Sequence, residues 1–145
     1  MKEEERKIFD MYVQRYEILS QKFWLMTCLL DKKFVNRQVE LLKLKKIYIY
    51  GGGPLGLQLY NTIHKMIDVV GVVDRTGEMY KTGDGIIDYR DDSIPALGLD
   101  ELRSIYQNEP IIITPTEYYS EITNELCDFV PKEKQILIHE FCMWR

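Results

Sequence analysis

Residues 2–45 contain no Gly or Pro, and their apolar positions fall at helical intervals. Ile8, Tyr12, Tyr16, Leu19, Phe23, Met26 and Leu30 recur at spacings of 4, 4, 3, 4, 3 and 4. Such a row lies on one face of a helix, and Phe9, Val13, Trp24 and Leu29 widen it. Asp31-Lys32-Lys33 interrupts the row before Val35, Val39 and Leu42 resume it, which predicts two helices rather than one. A stripe this broad has to be covered. The ordinary cover is the chain's own sheet or helices; the sharper reading is a dimer or partner interface. Attachment to a membrane surface fits less well, because the polar face mixes both signs of charge.

At Lys46 the period changes. Ile47-Tyr48-Ile49-Tyr50 is β-branched and aromatic, the mark of a strand, and it ends in three glycines. Leu55, Leu59, Ile63 and Met66 then share one helical face, predicting a helix over 54–66 that Asp68 breaks. The apolar run 69–73 reads as a parallel strand buried on both sides. Residues 75–93 are polar and turn-rich, with room for one short strand near 85–88. Leu99-Asp100-Glu101-Leu102 opens a short helix, and Ile111-Ile112-Ile113 is a further strand. Thr114-Pro115-Thr116-Glu117 has the form of a capping box, with Thr114 at N-cap, Pro115 at N1 and Glu117 at N3. It predicts a helix over 115–129 with Ile122, Leu126 and Phe129 inward, stopped by Pro131. Residues 135–138 form the last strand, and His139 stands just beyond it. Strands alternating with helices call for a parallel α/β sheet with right-handed crossovers.

The candidate chemistry sits where the first strand meets its helix. Gly51, Gly53 and Gly56 satisfy G-x-G-x-x-G between a strand and a helix, the context that gives the motif meaning. Gly51 allows a tight turn, Gly53 lets the backbone approach a pyrophosphate, and Gly56 lets the helix lie close to the sheet. Pro54 suits the first helical position, where a missing N–H costs nothing. The amides around Gly52 and Leu55 and the positive end of the helix dipole then face the anion. Asp74 stands eighteen residues after Gly56, where such a domain places the acid that holds a ribose hydroxyl. An ordinary strand-end Asp capping its turn explains it equally well. Arg75 follows, either meeting a phosphate or lying solvated in the turn. Thr114 is on the ligand side of a parallel sheet, although capping alone accounts for it. The pattern therefore predicts a Rossmann-like three-layer αβα fold with a four- to five-stranded parallel sheet over 46–145, preceded by a helical pair over 1–45.

Other chemistries are excluded by what the motifs lack. No Gly-Lys-Ser/Thr follows the glycines, and there is no Tyr-x-x-x-Lys, HExxH or GxSxG. His64 lies ten residues past Pro54, roughly 15 Å along the helix, and points away from any pyrophosphate. His139 is at the correct end of a strand, but of an outer one. Asp84, Asp88, Asp91 and Asp92 cluster without the EF-hand spacing, so a solvated loop is expected there and no metal site. The net charge of −4 gives no general reason to expect nucleic acid as a partner. Its distribution is uneven: residues 1–46 carry +4 and residues 47–145 carry −8. Three cysteines without CxxC spacing fit reduced, mostly buried thiols. The charged N-terminus resembles no signal peptide, and the longest apolar run, 23–30, is far short of the ~20 residues of a membrane span. A cytoplasmic protein is expected.

The glycine loop with its strand, Val70-Gly71-Val72-Val73-Asp74, Ile94-Pro95 ahead of Leu99-Asp100-Glu101-Leu102, and Ile111-Ile112-Ile113-Thr114 with Tyr118-Tyr119-Ser120-Glu121-Ile122 together carry a family resemblance. Over residues 46–139 the chain resembles the small nucleotide-binding domains of bacterial surface-polysaccharide enzymes. Such domains precede the acyltransferase repeats of sialic-acid O-acetyltransferase-like proteins and begin membrane-linked nucleotide-sugar dehydratases; CoA-binding domains are similar more loosely. The resemblance implies that the loop 51–56 and Asp74 contact NAD or a uridine-sugar nucleotide. It does not extend to acetyl transfer, since no hexapeptide repeats follow, nor to the N-terminal helices. Three functions follow as expectations. The first is a nucleotide-binding module of sugar or polysaccharide metabolism without a complete catalytic set. The second is an interaction domain whose glycines form only a structural turn. The third is an NAD-dependent oxidoreductase completed by oligomerisation, for instance as a homodimer through the N-terminal helices.

Overall fold

Two apolar periodicities, 3.6 and 2, divide the chain into helical layers and a sheet. The computed structural model describes residues 2–74 and 95–143. Helices α1 (Glu3–Leu30) and α2 (Lys32–Leu41) lead into β1 (Lys46–Tyr50), α3 (Pro54–Ile63) and β2 (Asp68–Val73). After β3 (Ala96–Leu97) come α4 (Leu99–Ile105), β4 (Ile111–Ile113), α5 (Tyr119–Leu126), β5 (Gln135–Leu137) and α6 (Ile138–Met143). The five strands form one sheet in the order β3-β2-β1-β4-β5, and every neighbouring pair is parallel. This is the Rossmann-like α/β arrangement, with a reversal of strand order at β1.

Strand alternation splits the core in two. Ile47, Ile49, Val72 and Ile112 face one side, where they pack with Leu59 and Ile63 of α3, Ile138 and Phe141 of α6, and Leu25, Leu29, Val35 and Val39 of the N-terminal helices. Tyr48, Tyr50, Val73, Ile111 and Ile113 face the other side, against Leu102 of α4 and Ile122 and Leu126 of α5. The N-terminal pair thus shares a core with the sheet through α2 and the end of α1. The Thr62 hydroxyl donates to the Leu29 carbonyl at 2.7 Å, which ties α3 to that end of α1.

Asp31 separates α1 from α2 without help from Gly or Pro. Its backbone is extended (φ −85°, ψ 102°), and its carboxylate accepts from the amides of Lys33 and Phe34 at 3.1 and 3.2 Å. One side chain caps the new helix and ends the old one. Before its last turns, α1 leaves the domain: Leu25 and Leu29 are its buried residues. The long stripe takes the opposite course. Ile8, Phe9, Tyr12, Tyr16, Leu19, Phe23 and Leu30 are all exposed.

One expectation is corrected. The helix after β4 starts at Tyr119, not at Pro115, and its N-cap is Tyr118 in the left-handed region (φ 64°). The capping box fails because its members have other partners. The Thr114 hydroxyl donates across to the Tyr50 carbonyl at 2.8 Å, and Glu117 pairs with Lys22. The fifth strand is Ala96–Leu97, too short to show a period. The short strand expected near 85–88 and the acidic cluster at 84–92 lie outside the described residues.

Candidate functional site

Three motif glycines sit at one junction and do three different things. Gly51, directly after β1, has φ +103°, a conformation that L side chains rarely adopt. Its amide donates to the Val73 carbonyl at 2.7 Å, fastening the turn to β2. A Cβ on Gly51 would stand 2.5 Å from Thr114 Oγ1, and one on Gly56 only 1.8 Å from the Gly51 carbonyl oxygen. Both positions are closed by packing. Gly53 is the exception: a Cβ there would meet nothing within 4 Å. Its flank is open space.

Gly53 is also in the wall of a cavity of about 370 Å³ at the C-terminal ends of β1 and β4. It lies where the strand order reverses, which is where open parallel sheets bind their ligands. The loop 51–56 forms one wall and residues 114–118 the other. Gly53 is the N-cap of α3 and offers no side chain to its first turn, while Pro54 at N1 has no N–H. The amides of Leu55 and Gly56 begin the helix at the cavity wall. Among the described residues, no side chain makes a cap bond at this end. The positive end of α3 is therefore directed at a concave, largely apolar space.

The expected site residues divide on inspection. Gly51, Gly52, Gly53, Pro54, Leu55, Gly56 and Thr114 all line the cavity. Thr114 is buried, and its hydroxyl hydrogen is directed at the Tyr50 and Gly51 carbonyls (2.8 and 3.3 Å), so it shapes the loop. Asp74 does not line this cavity. It follows β2, on the other side of β1, where its amide donates to the Leu97 carbonyl at 3.0 Å. Arg75 lies outside the described residues.

Two lining residues come from a part of the chain that motif reading passes over. Lys22 and Met26 of α1 reach the cavity from the helical side. The Lys22 ammonium stands 3.7 Å from the Glu117 carboxylate, with both side chains about half exposed. The signal was a second, weaker row on α1, Ile18, Lys22, Leu25 and Leu29 at spacings of 4, 3 and 4. It faces the domain, and the longer apolar row concealed it.

Neither histidine is placed for proton transfer at the cavity. His64 stacks on Tyr60 with ring centroids 4.7 Å apart, and its Nδ1 lies 2.8 Å from the Tyr60 carbonyl. His139, on α6, shares a hydrogen bond with the Tyr119 hydroxyl. Burial pushes that hydroxyl up to about 12, with Cys142 and Glu140 adding to the effect. Burial likewise pushes the Cys142 thiol up to about 12, helped by Cys28, and the Tyr106 hydroxyl to about 12, helped first by Glu109.

These shifts fix the sign of the alkaline response. The folded chain keeps protons that the unfolded chain releases from its ordinary thiol and phenol values of 9.0 and 10.0. Their stabilising effect is whole below about pH 9 and is lost as pH rises towards 12. Urea melts should give similar midpoints at pH 7.5 and 8.5 and falling ones from pH 9.5 to 11. A flat profile across that range would contradict the assignment.

Among the described residues, no three His, Cys, Asp or Glu side chains are grouped to hold a metal ion. No helix among them is long and apolar enough to cross a membrane. Compared with protein-family models, with curated proteins and with solved structures, the chain matches none.

Proposed function

We propose that this chain is a nucleotide-binding module, taking NAD or a uridine-sugar nucleotide. It would serve sugar or surface-polysaccharide metabolism in the cytoplasm without a complete catalytic set of its own. One observation carries the reading: the cavity at the strand-order reversal, bounded by the open flank of Gly53 and the uncapped start of α3. The volume is at the small end of the usual ~300–1,000 Å³ range for ligand sites. It suits a phosphate-bearing portion of the ligand better than a whole dinucleotide. The competing reading, a purely structural turn, draws on Gly51 and Gly56, whose packing needs no ligand. It does not account for Gly53, where an added Cβ would meet nothing within 4 Å among the described residues.

Titration calorimetry and thermal shift against NAD, NADP, CoA and UDP-sugars test the proposal. A ligand at a hundred times its Kd adds about 2.7 kcal/mol of stability. Gly53→Asp separates binding from folding. The new side chain enters open space at an N-cap with φ −74°, where Asp is a favoured residue, so stability should hold or rise slightly. Its carboxylate would stand where the phosphate belongs, and affinity should drop at least a hundredfold. Silence of the wild type across the panel would end the nucleotide reading.

The same reading includes a homodimer formed through the N-terminal helices. The exposed stripe of α1 points away from the face that packs on the domain, and Tyr12, Tyr16, Leu19 and Phe23 are 61, 72, 65 and 77 % exposed. At ~200 Å² per large side chain, the exposed stripe offers roughly 600–900 Å². A standard interface takes about 800 Å² from each partner. A single straight stripe can meet its own copy about a two-fold axis. The polar positions beside it, among them Arg15 and Glu17, mix both signs, which favours a second copy over an anionic lipid surface.

A further inference from the structure

Among the described residues that line the cavity, Lys22 is the one cationic side chain, and it comes from outside the sheet-and-helix frame that builds the glycine loop. We propose that Lys22 is the phosphate-pairing residue of the site. Glu117 holds it when no ligand is bound and gives it up to a phosphate on the ligand. The inference rests on the nucleotide reading above and adds to it the ligand's required charge and a role for α1.

The geometry supports an exchangeable pair. At 3.7 Å and about half exposed on both sides, the Lys22–Glu117 contact is loose and solvated. Such exposed pairs contribute little. A charge-assisted bond from an ammonium to a phosphate that is also held by backbone amides is stronger. The exchange therefore runs towards the ligand. Glu117 can leave because residues 114–118 are not helical, and α5 begins only at Tyr119. Met26, Pro54, Leu55 and Pro115 supply apolar walls around the same space. They suit the uncharged part of a ligand whose anionic end lies between Lys22 and the start of α3.

Two substitutions of opposite expected sign test the role. Lys22→Gln should weaken ADP and UDP at least tenfold and leave the weak binding of adenosine and uridine unchanged. Glu117→Gln removes a competing carboxylate and should strengthen ADP and UDP severalfold. If Lys22 served only to brace α1 against the loop, both variants would break the same pair and shift affinity in the same direction. That result overturns the proposal. So does wild-type affinity for ADP and UDP in Lys22→Gln. Circular dichroism melts of both variants should match the wild type, since the pair is solvent-exposed. If the wild type binds neither ADP, UDP nor any nucleotide of the wider panel, the nucleotide reading falls and this role falls with it. If the wild type binds and the two variants fail the sign test, only the role of Lys22 falls.

Discussion

Gly56→Ala is expected to destabilise the fold severely. A Cβ on residue 56 would lie 1.8 Å from the Gly51 carbonyl oxygen and 2.9 Å from its carbonyl carbon, distances no real Cβ adopts. The obstacle is backbone, so no side-chain rotation relieves it. The first turn of α3 would have to lift from the loop, opening contacts of Leu57 and Leu59 beneath it. Overpacking of a core typically costs about 1–3 kcal/mol. A clash with fixed backbone belongs at or beyond the upper end, against a total stability of about 5–15 kcal/mol. Chemical melts should show loss of at least 3 kcal/mol, or protein only in the insoluble fraction. Gly53→Ala is the control. The two glycines are three residues apart in one motif, yet Gly53→Ala should fold like the wild type. Equal effects at both positions would show that the loop is packed differently.

Replacing Tyr16 and Phe23 together by Glu should convert a dimer into a monomer while the domain stays folded. Both side chains are exposed and neither belongs to either core, so the monomer loses nothing that holds it together. In a two-fold pair each change is made twice. Four carboxylates would then enter an apolar seam, where like charges and their desolvation cost several kcal/mol. Sedimentation velocity should give a mass of two chains for the wild type at tens of micromolar and one chain for the variant. A wild type that sediments as one chain at that concentration refutes the homodimer. The helix itself gives a reason to expect company. In proteins most helical stability comes from packing of an apolar face rather than from intrinsic propensity. Most of α1 precedes Leu25, the first of its residues to be buried.

How much of this could be read from the sequence depends on whether a local pattern controlled the outcome. The strands β1, β2 and β4 announce themselves by β-branched and aromatic runs, and the break at Asp31 by a polar interruption whose carboxylate does the capping. The glycine loop is legible for the same reason: its chemistry is local to six residues. The start of α5 is not. Thr114 and Glu117 form a sound capping box on paper, but Tyr50 and Lys22, distant in sequence, claim them first. β3 has two residues and no period to detect. Lys22 escaped for a similar reason. It lies on the weaker row of α1, beside the most conspicuous apolar row of the chain, and only the fold shows that this weaker row reaches the glycine loop.

The Gly51 amide on the Val73 carbonyl, together with the Thr114 hydroxyl on the Tyr50 and Gly51 carbonyls, holds the turn at the edge of the cavity in place before anything enters it. A nucleotide bound as proposed would therefore meet a surface that gave up its conformational freedom when the chain folded. Association would resemble a key entering a finished lock, with one kinetic phase and no slow rearrangement of the host.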